Sequence, residues 1–292
     1  MSIAQLFQEK SVVFSCEVFP PKKTSPIETV YRTLDQLQDL RPDYISVTFG
    51  AGGSAGDNLT GRIAAAIQDQ YHIPSVAHLS CVNYTRDEVA GLLDSLKAMG
   101  IENILALRGD MDPNHPPKTD FQYASQLIAF IKSRDNSFHL SGACYPEGHI
   151  ESPDMVSDIL NLKKKVDAGA EHLVSQLFFD NDDFYDFREK ARIAGINVPI
   201  QAGIMPVLNK SQIERMVYLC GASIPKKLAR MLSRYGDHPA ALRDAGIAYA
   251  IDQIVDLVTD GVDGIHLYTM NNPPVAHRIN QAVASLIRCA NR

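Results

Sequence analysis

The chain of 292 residues is 45% hydrophobic and 21% charged, an ordinary globular balance with room for one large α/β barrel or two smaller domains. No Ser/Gly/Pro-rich linker or low-complexity run marks a boundary, so a single domain over residues 1–292 is expected. The formal charge of −6, from 34 acids against 28 bases, excludes broad non-specific binding to nucleic acid or anionic membrane surfaces and leaves room for a local basic pocket.

The first ten residues, Met1 to Lys10, lack the basic start and long apolar core of a signal peptide. No later stretch is apolar for long enough to span a bilayer, which points to the cytoplasm. The cysteines Cys16, Cys81, Cys144, Cys220 and Cys289 are odd in number, widely spaced and free of any C-x-x-C pair, which suits buried free thiols better than disulfides or zinc. The histidines show no H-E-x-x-H or other ligand spacing, and no metal is expected.

In chain order, Val12-Val-Phe-Ser-Cys-Glu-Val-Phe-Pro20 reads as a first strand stopped by Pro20-Pro21. It contains Glu17, a carboxylate among Phe14, Val18 and Phe19 that is costly unless paired, solvated or protonated, and so a candidate functional acid. Apolar spacing over Ile27–Leu40 predicts a helix, and Tyr44–Phe49 a second strand. Further strands are expected at Ser75–Cys81, Asn103–Gly109, His139–Pro146, Glu171–Phe179, Pro199–Pro206 and Gly264–Asn271. Helical patterns lie between them at Asp57–Tyr71, Arg86–Met99, Phe121–Lys132, Asp154–Ala168, Asp182–Ala194 and Lys210–Leu219. More helical sequence runs to Val258, and Pro274–Ile287 closes the chain. Gly100, Gly169, Gly195 and Gly261 fall where helices should end in a left-handed cap.

Eight strands alternating with helices fit a (β/α)8 barrel better than an open doubly wound sheet. The active site of such a barrel lies at the C-terminal ends of the strands. The polar residues there are Glu17, Thr48, His78, Arg108 and Asp110, Tyr145 and Glu147, Gln176 and Asp180, and Tyr268 with Asn271.

Ile104-Leu-Ala-Leu-Arg-Gly-Asp110 ends an apolar strand in a cation, a glycine and an acid. Gly109 would let a flat ligand approach and Asp110 could accept from ring N–H groups, or Arg108 and Asp110 form a surface pair. Gly50-Ala-Gly-Gly-Ser-Ala-Gly56 lacks the acid that a dinucleotide fingerprint needs at the next strand end, which leaves a close-approach loop or a glycine turn. Asp158, Asn161, Lys164 and Lys165 can share a broad helix face that holds a ribose and phosphates, or is simply solvated. His78 reads equally as a cofactor contact or a bonded core histidine. Gln176 could read a heterocycle edge or satisfy a backbone group.

Cys16-Glu-Val-Phe-Pro-Pro21, Ser46-Val-Thr-Phe-Gly-Ala-Gly-Gly-Ser54, Ala77-His-Leu79, Ala106-Leu-Arg-Gly-Asp110, Leu160-Asn-Leu-Lys-Lys-Lys-Val-Asp-Ala-Gly-Ala170 and Gln176-Leu-Phe-Phe-Asp180 occur in that order. Together they resemble the methylenetetrahydrofolate reductase family, in its short bacterial form. The resemblance implies a (β/α)8 flavoprotein that takes hydride from NADH onto FAD. It then passes hydride from flavin N5 to the iminium form of 5,10-methylenetetrahydrofolate, giving 5-methyltetrahydrofolate for methionine synthesis. By motif, Glu17 resembles the general acid at N10 of the folate, and Asp110 the acid that stabilises the cation. Gln176 and Gln212 resemble substrate contacts. FAD would be held by Thr48, His78, Arg108, Gly109, Asp110, Tyr145, His149, Asp158, Asn161, Lys164 and Lys165. A homotetramer without a regulatory domain is implied.

The sequence departs from the family pattern at Asp57, flanked by Gly56 and Asn58 rather than arginines, at Asn272 in place of an arginine, and at Met216 in place of a ring. These positions concern the substrate tail and the nicotinamide. Two other readings stay open. One is a flavin-independent lyase or aldolase using Glu17 and Asp110, although no expected strand carries the lysine of a Schiff-base enzyme. The other is a catalytically silent barrel that binds flavin or folate.

Overall fold

A computed structural model describes residues 2–21, 24–49, 58–110 and 118–292. Its eight parallel strands close into a barrel in sequence order. They are β1 Val13–Val18, β2 Tyr44–Val47, β3 Ser75–Ser80, β4 Asn103–Leu107, β5 His139–Cys144, β6 His172–Ser175, β7 Ile200–Ile204 and β8 Gly264–Tyr268. Before β1 lies α1 Ile3–Glu9; then α2 Glu28–Leu37, α3 Leu59–Tyr71, α4 Arg86–Ala98, α5 Ala124–Arg134, α6 Met155–Asp167, α7 Asn181–Ile193 and α8 Lys210–Cys220 each follow a strand. The added helices α9 Lys226–Tyr235 and α10 Pro239–Thr259 precede β8, and α11 Pro273–Ala290 closes the chain.

All eight expected strands form, but each ladder stops short of its sequence pattern, from one residue at β3 (Ser80 against Cys81) to four at β6 (Ser175 against Phe179). The apolar pattern runs on because residues beyond the ladder are still buried: Leu177, Phe178 and Phe179 are almost fully covered. Gly100, Gly169, Gly195 and Gly261 have φ of 73°, 118°, 77° and 75°, as expected of helix-ending positions. The glycine-rich segment 50–57, with Asp57, lies outside the described residues.

Period two divides each strand between two cores. Phe14, Cys16 and Val18 of β1 join the large cluster beneath the helices, with Ile45, Val47, Ala77 and Leu79 of the next two strands. The alternate residues face the barrel axis, and these inward positions change character from bottom to top. At the N-terminal end Val13, Tyr44, Val76 and Leu105 form a small cluster with Ile3 and Leu6. Helix α1 thus plugs the barrel floor, and the Ile3 N–H donates to Asn103 Oδ1 at 3.0 Å. Toward the C-terminal end the same inward phase carries Ser15 and Glu17 on β1, Ser46 on β2, His78 on β3 and His266 and Tyr268 on β8. The floor carries an apolar cluster beside the buried Asn103 and His172, and the mouth is polar.

A third cluster lies under the added helices, where Leu228, Leu232 and Leu242 cover Leu177, Phe179, Met205 and Val207. Met216 packs against this cluster. Helix α10 reaches it through Gly246, where a Cβ would collide with the Val207 carbonyl. Gly246→Ala should therefore destabilise the fold by about 1–3 kcal/mol through overpacking. A lowered urea midpoint with an unchanged m-value would register it.

Candidate active site

At the end of β1, Glu17 faces two imidazoles inside the barrel mouth. Its Oε2 lies 3.5 Å from His78 Nε2 and 3.6 Å from His266 Nε2. His266 is almost fully buried, and its Nδ1 lies 2.7 Å from Ser15 Oγ. His78 Nε2 is buried without a hydrogen bond among the described residues. The backbone around Glu17 is clasped to β8 and its loop. Thr269 Oγ1 donates to the Glu17 carbonyl at 2.6 Å, while Asn271 accepts from Phe19 N–H and donates to Phe19 O at 3.1 and 2.9 Å. Tyr268 crosses toward β6 and donates to Ser175 O at 2.7 Å. It fits because Gly203 has no side chain: a Cβ there would lie 2.7 Å from the Tyr268 hydroxyl.

A second group gathers where β4, β5 and α6 meet. Gly109, at φ 90°, turns the chain after Arg108, and a Cβ there would lie 2.9 Å from Ser80 Cβ, so glycine is required twice over. Arg108 makes a bidentate pair with Glu151, its Nη2 at 2.8 Å, and not with Asp110. Glu151 raises the Arg108 pKa through that pair. Asp110 is exposed at the mouth. The rings of Tyr145 and His149 meet edge to face at 4.7 Å. Above Tyr145 sits Lys165 Nζ, 5.4 Å from the ring centroid and donating to Ala143 O at 2.8 Å. Burial lowers the Lys165 pKa, and Cys144 and Asp158 oppose that shift. Asp158 is buried and accepts from Ser152 Oγ at 2.8 Å.

The expected helix face is thus split. Asp158 and Lys165 turn toward the barrel, whereas Asn161 and Lys164 are exposed and bonded to each other at 2.9 Å. Thr48 continues β2 through its N–H to Val18 O at 3.0 Å, and its carbonyl accepts from Thr60 Oγ1. Gln176 is anchored by its N–H to Cys144 O at 2.7 Å, and its Oε1 accepts from Leu177 N–H, which leaves the amide NH2 to donate elsewhere. Gln212, half-buried on the first turn of α8, is held through its N–H to the Asn209 cap, and among the described residues it bonds to neither group. Asp180 is the cap of α7. Asn272 begins α11 without a side-chain cap bond.

Sequence reasoning missed Ser15, Ser46, Gln201 and His266. A signal was present, since Ser15 and Glu17, Tyr44, Ser46 and Thr48, and His266 and Tyr268 are polar residues two apart within strands. It shows only once strand phase is read as inside against outside. No cluster with metal-ligand character occurs among the described residues, and no helix among them is long and apolar enough to cross a membrane.

The class is a (β/α)8 barrel with a carboxylate-imidazole centre at the end of β1 and a cationic group at the ends of β4 and β5. A family model described as methylenetetrahydrofolate reductase matches residues 2–284. The chain is 34% identical over 278 residues to 5,10-methylenetetrahydrofolate reductase of Escherichia coli (strain K12), covering 95% of this chain and 92% of that one. It is 35% identical over 286 residues to methylenetetrahydrofolate reductase (NADH) 1 of Arabidopsis thaliana, but spans only 48% of that longer protein and 92% of itself. The chain belongs to the methylenetetrahydrofolate reductase family.

Among solved structures, a Clostridium thermocellum protein described as binding two copies of 5-methyl-5,6,7,8-tetrahydrofolic acid superposes with a TM-score of 0.68 at 14% identity, over 99% of this chain and 100% of that one. Phosphonopyruvate hydrolase, in complex with oxalate and magnesium, superposes with a TM-score of 0.53, also at 14% identity, over 99% and 88% of the two chains. These likenesses show the barrel and not its chemistry.

Burial holds the imidazoles of His78 and His172 down to about 4 and about 3, from an ordinary value of 6.5. For His78 the Glu17 charge opposes this and His266 adds to it; for His172 the opposing charge is Glu171 and the reinforcing one again His266. Below pH 6.5 the unfolded chain takes up protons that the folded chain refuses, so these two groups cost nothing above that pH. Stability is lost from this source as pH falls from 6.5 toward about 4 and 3. Urea midpoints measured across that range should drop with acid, and His172→Phe, which keeps an aromatic beside Phe7 and Tyr44, should make the drop shallower.

Proposed function

We propose that the protein is an oxidoreductase that reduces 5,10-methylenetetrahydrofolate to 5-methyltetrahydrofolate for methionine synthesis. Its cofactor is FAD and its reductant NADH, and it works as a cytoplasmic homotetramer. The observation that carries this reading is Glu17, a carboxylate at the C-terminal end of β1 facing two buried imidazoles. The names of the bacterial relatives support the substrate, and the name of the plant relative supports NADH.

The residues present suit FAD. Arg108, Lys164 and Lys165 supply cations for a diphosphate, and Asp158 and Asn161 supply partners for sugar hydroxyls. Thr48, His78, Gly109, Asp110, Tyr145 and His149 complete the set, and His78 Nε2, which faces Glu17, makes no hydrogen bond among the described residues. When bound, FAD would supply hydride transfer between NADH and the folate.

In this reading Glu17 holds a proton and delivers it to N10 as the five-membered ring of the folate opens. The cation then formed on the pterin side is stabilised by the negative charge of Asp110 at the mouth. Gln176 offers its free amide NH2 to the pterin, and Gln212 approaches the substrate from α8. Burial lowers the pKa of both His78 and His149, which disfavours a positive charge on either ring that would repel the cation.

An anaerobic visible spectrum of the purified protein tests this directly. A flavin band should bleach on adding NADH and return on adding methylenetetrahydrofolate. A colourless protein that binds no added FAD would overturn the cofactor assignment and favour a flavin-independent lyase. Glu17→Gln should slow reoxidation by the folate at least about a hundredfold while NADH still bleaches the band. Equal loss in both half-reactions would remove Glu17 from the acid's role.

A further inference from the structure

Below Glu17 the barrel axis holds a chain of buried polar groups with a definite direction. Gln201, fully buried on β7, places its Nε2 3.4 Å from Val13 O and 3.1 Å from Ser15 Oγ. A backbone carbonyl only accepts, so this end of the amide must be the nitrogen. Its other end, Oε1, accepts from the Tyr44 hydroxyl. Gly264 makes the crossing possible, because a Cβ there would lie 2.9 Å from Gln201 Nε2 and 2.5 Å from Val13 O.

With both amide hydrogens committed, Ser15 Oγ receives one from Gln201 and has its own hydrogen to give. Its neighbours are His266 Nδ1 at 2.7 Å, Ile265 O at 3.5 Å and the Tyr44 hydroxyl, and only the first is a bond of ordinary length. The serine therefore donates to Nδ1, and the neutral His266 ring must carry its hydrogen on Nε2. That N–H has Ser46 Oγ at 3.4 Å as its acceptor, with Glu17 Oε2 just beyond hydrogen-bond length at 3.6 Å.

We infer that Tyr44, Gln201 and Ser15 are positioning residues that fix His266 as the Nε2–H tautomer, so that it faces Glu17 as a hydrogen-bond donor and never as a base. The consequence for catalysis rests on the function proposed above. A donor at Oε2 cannot take the proton that Glu17 must deliver to the folate. Once that proton has gone, the same N–H meets a full carboxylate, and a charge-assisted bond is stronger than a neutral one. The interaction thus grows along the reaction, which is what lowers a barrier.

The first test needs no variant. In FAD-loaded protein labelled with 15N-histidine, the His266 signals, assigned by their loss in His266→Gln, should show a protonated Nε2 and an unprotonated Nδ1. The reverse pattern overturns the inference whether or not the protein reduces folate. Ser15→Ala and Gln201→Met should then abolish that tautomer preference. They should slow folate-driven reoxidation of the flavin roughly ten- to a hundredfold, as loss of one charge-assisted bond does, with bleaching by NADH changed by less than about twofold. Loss of the tautomer preference with both half-reactions unchanged would refute the catalytic consequence. If wild-type protein keeps the tautomer but reduces no folate, the proposed function fails and the tautomer assignment stands.

Discussion

Everything at the mouth of this barrel depends on holding a carboxylate inside a closed sheet. Closure fixes which strands flank Glu17: it lies opposite Ser46 of β2 and Tyr268 of β8, and Ser15, one inward step below, lies opposite His266. A carboxylate in such a place is stable only where polar groups replace the water it has lost. The inward positions of β1, β2, β3 and β8 supply them, and each supplies only one or two. At the floor, by contrast, Val13, Tyr44, Val76 and Leu105 form an apolar cluster with Ile3 and Leu6 of α1.

Much of this architecture could be read from the sequence because its signals are periodic. The eight strands, the helices between them and the glycines that end four of those helices follow from spacing alone, and so does the barrel. Glu17 was visible because it violates its strand, and Arg108, Gly109 and Asp110 because a cation, a glycine and an acid end an apolar run. Relations across the barrel were not visible. Arg108 lies two residues from Asp110 yet pairs with Glu151, 43 residues away, and Gln201 reaches Ser15 across 186 residues. Such contacts depend on strand register and on the empty space at Gly203 and Gly264, neither of which has a local signature. Helix α1 lacked a signal of another kind, since seven residues carry too short a pattern to mark a plug.

The two halves of the site solve opposite electrostatic problems. Near Glu17 the groups are hydrogen-bonding and the two flanking imidazoles are buried, so a proton can be held and released without a large fixed charge beside it. Near β4 and β5 the groups are basic, and one of them, Lys165, is held in place although burial lowers its pKa. Its stem runs past Gly142, where a Cβ would lie 3.7 Å from Lys165 Cδ and 3.3 Å from Leu173, and its head is fixed by Ala143 O over the Tyr145 ring. A cation held in place by a carbonyl and an aromatic face need not be ordered when an anion arrives, which removes part of the entropic cost of binding. Arg108 is oriented in the same way by Glu151.

The clasp between the first and last strands carries the argument to folding. Met270 and Asn271 are consecutive non-glycine residues with φ of 52° and 50°, a left-handed pair that costs on the order of 1 kcal/mol or more per residue. Asn271 offsets that cost by bonding the Phe19 backbone in both directions, and Thr269 adds its bond to the Glu17 carbonyl. These bonds join residues 252 apart in the chain. The acid on the first strand is therefore aimed only when the eighth strand has docked, and His266, which lies on that strand, arrives at the same moment. A partly folded barrel has the strand that bears Glu17 but neither the clasp nor the imidazole, so the site and the closure of the sheet form as one event.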